Sequence, residues 1–78
     1  MTKLQKLLAG FFDDREGEGA FQRLRGSDLL ELGILDSLDM VELAAMISST
    51  CEFRVDLSDS NHFEALRTID GMLLTFGP

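Results

Sequence analysis

The sequence has one cysteine, Cys51, and one histidine, His62. A lone cysteine cannot close an internal disulfide, so stapling of the kind that holds small extracellular domains together is excluded. A lone histidine with no second histidine or cysteine nearby cannot complete a metal set, and no metal is expected. With carboxylates scattered and no nucleophile paired with a base, the chain is not expected to be an enzyme. Bases are scarce as well: 7 Lys and Arg stand against 14 Asp and Glu, a formal net charge of −7. None lies between Arg25 and Arg54, a stretch that holds Asp28, Glu31, Asp36, Asp39, Glu42 and Glu52. Nucleic acid needs a basic footprint and is not expected as a partner, whereas basic protein surfaces suit the charge. No apolar run approaches the ~20 residues of a membrane span, and no basic N-terminal region leads into one. The expectation is a cytoplasmic protein, monomeric and without a membrane partner.

The 78 residues bound the answer to one domain, residues 1–78, with a small core. A hydrophobic content of 45% is ordinary for a globular protein, so disorder is not expected. Leu4, Leu7, Leu8, Phe11 and Phe12 recur at helical spacing and predict a first helix over Lys3 to Phe12, with Thr2 as N-cap. Asp13 to Gly19 is charged and glycine-bearing and reads as a loop. In the irregular connection that follows, Phe21 and Leu24 are candidate anchors, and Ser27 is a candidate cap for a short turn ending at Gly33. After a loop over Arg54 to Asn61, Phe63 and Leu66 give a short helical turn. The last helix begins at a Thr68 cap, carries Ile69, Met72, Leu73 and Phe76 on one stripe, and is closed by Gly77 and Pro78. Gly71 inside that helix costs about 1 kcal/mol relative to Ala, which implies either close packing or a weak helix. Cys51 reads as a small buried hydrophobe and His62 as a solvated loop or helix-start residue.

The central helix, Ser37 to about Glu52, is more informative. Met40, Leu43, Ala44, Ile47 and Cys51 form one apolar stripe, and Asp36 is its N-cap, complementing the positive end of the helix dipole. At ~100° per residue, Leu38, Val41 and Ala45 fall roughly opposite that stripe, beside Glu42, with Asp39 on the flank. A helix in a small domain buries only one stripe in its own core. The second stripe therefore reads as a docking surface made of Leu38, Asp39, Val41, Glu42 and Ala45, with Ser37 at its head.

The segment Leu32-Gly33-Ile34-Leu35-Asp36-Ser37-Leu38-Asp39-Met40-Val41-Glu42-Leu43 resembles the attachment site of acyl carrier and peptidyl carrier proteins, whose core signature is Asp-Ser-Leu at a helix start. Leu29-Leu30-Glu31-Leu32-Gly33, Phe53-Arg54-Val55, Asn61-His62-Phe63 and Thr68-Ile69-Asp70 extend the likeness over roughly Ser27 to Phe76. The resemblance implies an all-α, acyl-carrier-like bundle of three main helices plus one short helix, at a length typical of free-standing carriers. It implies 4′-phosphopantetheine, taken from coenzyme A and held covalently on Ser37 with Asp36 beside it. The arm would carry acyl intermediates as thioesters to the enzymes of a biosynthetic pathway. A phosphopantetheinyl transferase, a loading ligase and pathway enzymes with basic docking surfaces are the implied partners. An aminoacyl or peptidyl carrier loaded by a stand-alone adenylating ligase shares the mechanism and differs in cargo. A helical adaptor in which Ser37 is only structural belongs to a different class. One departure from the pattern is Ser48-Ser49-Thr50, where many fatty-acid carriers continue an acidic ridge.

Overall fold

The computed structural model describes residues 2–77. Among them every regular element is helical: α1 (Lys3–Glu16), α2 (Ala20–Arg23), α3 (Ser37–Cys51), α4 (Ser60–Leu66) and α5 (Ile69–Phe76). α1 opens on a capping box. The Thr2 hydroxyl accepts the Gln5 amide at 3.1 Å, and the Gln5 side chain accepts the Thr2 amide at 2.8 Å, so two donors that a helix start leaves free are satisfied. Leu4, Leu8, Phe11 and Phe12 form its buried stripe.

The helix runs one turn beyond the expected Phe12. Its charged last turn is held by partners elsewhere: the Asp13 carboxylate accepts the Phe21 amide at 2.9 Å, and Arg15 pairs with Asp39 on α3. Gly17, at φ 100°, then ends it, donating to the Asp13 carbonyl. The one-turn α2 that follows is an element that periodicity did not predict; it brings Ala20 and Phe21 into the core. The helices thus include the three main ones and the short α4, with α2 in addition.

Between α2 and α3 the chain is irregular but tied down. The cap of the short turn is Asp28 and not Ser27, since the Asp28 carboxylate accepts the Leu30 and Glu31 amides at 3.1 and 3.0 Å. The same carboxylate pairs with Arg67 at 2.7 Å, and the Leu29 amide donates to the Arg67 carbonyl at 2.7 Å. Arg25 pairs with Asp70 at 2.5 Å. The connection is thereby fastened to the α4–α5 corner, with Leu29 and Leu35 fully buried as its main anchors, Phe21 buried beside them and Leu24 half-buried. Gly33, at φ 75°, reverses the chain where a side chain would be strained. Leu35 can then turn inward and Asp36 outward to start α3.

α3 ends at Glu52, in the left-handed region at φ 52°. Ser48, which departs from the family pattern, fixes the exit loop. Its hydroxyl donates to the Ala44 carbonyl at 2.7 Å and accepts the Val55 amide at 3.0 Å. Cys51 is half-buried against the core. His62 lies in the first turn of α4, half-buried rather than solvated. It accepts the Asp56 amide at 3.0 Å through Nδ1 and packs its ring against Phe53 and Phe76. In α5, a Cβ on Gly71 would stand 2.6 Å from Thr68 Oγ1 and 2.8 Å from the Ala65 carbonyl oxygen, so this glycine marks close packing of α4 on α5. Gly77 caps α5 through the Leu73 carbonyl, while Pro78, also expected to close the chain, lies outside the described residues.

Candidate functional site

Ser37 is the first residue of α3, and it is exposed. Its position follows from its two acidic neighbours. Asp36 is extended, at φ −112°, and its carboxylate accepts the Asp39 amide at 2.9 Å. Asp39 reaches back so that its own carboxylate accepts the Asp36 amide at 3.0 Å, completing a second capping box. The cap expected of Asp36 is therefore present, and Ser37 takes no part in it. The Ser37 hydroxyl makes no hydrogen bond among the described residues, and its amide and that of Leu38 have no acceptor there. An exposed oxygen beside unpaired first-turn amides, at the positive end of a helix, is a favourable place to build a phosphate ester.

Below Ser37 the helix has two faces. Met40, Leu43, Ala44 and Ile47 are buried, while Leu38 is 79% and Val41 54% exposed, and Glu42 and Ala45 also face solvent. Leu38, Val41, Glu42 and Ala45 therefore lie together on an open surface that begins at the serine. Asp39 is placed differently. Both of its oxygens are held by Arg15, at 2.6 and 3.0 Å, in the two-point geometry that makes guanidinium–carboxylate pairs strong. That hydrogen bond first, and the Asp36 amide second, lower its pKa to about 2.

Two residues escaped the pattern. Leu32, just before Gly33, is 59% exposed, although hydropathy alone marks it as core. Arg15 lies in a segment that reads as loop, and nothing in periodicity links it to Asp39, 24 positions away. Among the described residues no group of acidic, histidine and cysteine side chains is placed to hold a metal, and no helix is long and apolar enough to cross a membrane.

A family model described as a phosphopantetheine attachment site matches residues 23–73, more than half of the chain, including Ser37 and the whole of α3. Searches of curated proteins and of solved structures found no match.

Proposed function

The chain belongs to the phosphopantetheine attachment-site family, in which 4′-phosphopantetheine is attached covalently, and on that premise we propose that Ser37 is the residue that accepts it. The observation that supports this most is the division of labour at the start of α3. Asp36 and Asp39 do the capping, and the serine between them is exposed and uncommitted. A serine at a helix start is more commonly the cap itself.

In the attachment reaction, Ser37 Oγ forms a new bond to the phosphorus of coenzyme A that bears the pantetheine. The diphosphate bond to the nucleotide breaks, adenosine bisphosphate leaves, and the hydroxyl proton passes to a base of the transferase. Once bound, the arm supplies a terminal thiol that holds cargo as a thioester. What this chain contributes is orientation and charge. The Asp36–Asp39 box fixes the first turn, the amides of Ser37 and Leu38 are left without an acceptor among the described residues, and the helix dipole favours an anion there.

Carrier domains of this kind are not themselves catalytic, and the same reading is proposed here for residues 1–78 as one carrier domain. The proposed cargo is an acyl group in a biosynthetic pathway. The proposed partners are a phosphopantetheinyl transferase, a loading ligase and pathway enzymes with basic surfaces, all meeting the chain at Leu38, Val41, Glu42 and Ala45. Leu38 and Val41 supply contact area and Glu42 steers approach. Asp39, assigned to the same surface from sequence, is proposed instead to serve the site through its cap, because its carboxylate is already engaged. Incubation with coenzyme A and a broad-specificity transferase tests the reading. Peptide mapping should place a single phosphopantetheine on the Ser37 peptide, and a modification elsewhere would overturn it.

A further inference from the structure

Ser37 sits between two carboxylates, yet the reaction proposed for it adds a third negative charge at the same spot. Asp36 is compensated by the helix start that it caps. Asp39, two positions beyond the serine, is compensated by Arg15 alone among the charged side chains that pair with it in the described residues. The Arg15 guanidinium is itself well seated. It lies 4.9 Å from the centre of the Phe11 ring on the same helix, and Phe11 is buried in the core. A continuous path therefore runs from the core through Phe11 and Arg15 to Asp39, then through the Asp39–Asp36 exchange to the turn that presents Ser37.

We propose that Arg15 is a positioning residue for the attachment reaction: its two-point hold on Asp39 locks the turn that presents Ser37 and cancels the charge that the incoming phosphodiester would otherwise meet. This rests on the reading of Ser37 as the attachment residue. Two features favour Arg15 in this role over a surface pair of no consequence. The contact is bidentate, and it joins α1 to α3 at the one end of α3 where chemistry is proposed. Asp39 also uses one oxygen, Oδ2, both for Arg15 and for the Asp36 amide, so loss of Arg15 loosens the capping box as well as freeing a charge.

The test compares wild type, Arg15→Lys and Arg15→Gln in two measurements: the rate of mass gain with coenzyme A and transferase, and the thermal midpoint of the apo and holo forms of each. Arg15→Gln is expected to lower kcat/KM for attachment about tenfold and to lower the midpoint of the holo form more than that of the apo form. Arg15→Lys keeps the charge without the fork and should recover part of both. Should Arg15→Gln unfold, the lysine variant carries the test, with attachment slower than wild type at an unchanged circular dichroism spectrum. A wild-type rate in both variants, with apo and holo midpoints shifted equally, overturns the positioning role and leaves the carrier reading intact. Absence of mass gain in the wild type overturns the carrier reading itself.

Discussion

Asp36 and Asp39 cap one another, each carboxylate accepting the other's amide, at 2.9 and 3.0 Å. Ser37 lies between them without a share in the exchange. Asp36→Ala should therefore lower stability by about 1 kcal/mol, the ordinary value of a helix cap. Ser37→Ala should stay within about 0.5 kcal/mol of wild type. Urea denaturation of both variants checks this, and the opposite order would show that the serine is the cap.

The pairing of Asp39 also shapes the response to acid. Its pKa falls from 3.8 to about 2 in the folded chain, so the folded state keeps this carboxylate charged where the unfolded state would protonate it. The resulting stability is complete above pH 3.8 and is lost as pH falls toward 2. After solvent screening the effect is on the order of 1 kcal/mol. Asp28 and Asp56, whose values are also lowered, add to the same acid limb. Asp39→Asn should flatten the slope of stability against pH between about 4 and 2, measured by denaturation at fixed pH steps. An unchanged slope would mean that the Arg15 contact is not formed in solution.

The two faces of α3 should separate in mutagenesis. Leu43→Ala and Ile47→Ala, both at fully buried positions, should cost on the order of 2 to 5 kcal/mol. Leu38→Ala, at a side chain 79% exposed, and Val41→Ala should each cost less than about 1 kcal/mol, yet both should slow transferase-dependent loading. Chemical denaturation beside a loading assay decides this. Equal losses at Leu38 and Leu43 would refute the docking face.

The amphipathic pattern made this division readable from sequence, because a stripe at helical spacing reports which residues a helix buries without knowledge of the partner helices. The caps Thr2, Asp36 and Thr68 were readable because each acts within one turn: Thr2 and Asp36 in reciprocal capping boxes, Thr68 by accepting the Gly71 amide. What lay hidden depends on contacts between distant segments. Asp13 to Glu16 look like loop until Phe21 and Asp39 are brought against them. Ser27 and Asp28 are both good caps, and only the Arg67 contact reveals why Asp28 is the one used. His62 has no metal partner in sequence, and its aromatic neighbours Phe53 and Phe76 come together only in the fold.

Gly71 offers a check on the packing of α4 against α5. On an open helix, Gly71→Ala would stabilise by about 1 kcal/mol. Here the new methyl would meet Thr68 Oγ1 at 2.6 Å and the Ala65 carbonyl at 2.8 Å, disturbing the cap of α5 and a backbone that cannot easily move. The expected outcome is a loss of roughly 1 to 3 kcal/mol, read from the denaturation midpoint. A gain would show that the two helices stand further apart.

The central claim is that Ser37 is the attachment residue, and one paired measurement tests it most directly. Wild type and Ser37→Ala are incubated with coenzyme A and a broad-specificity phosphopantetheinyl transferase, their intact masses are compared, and circular dichroism confirms that both are folded. The wild type should gain one phosphopantetheine and the folded variant none. A folded Ser37→Ala chain that still gains the group, or a wild-type chain that never does, would contradict the account.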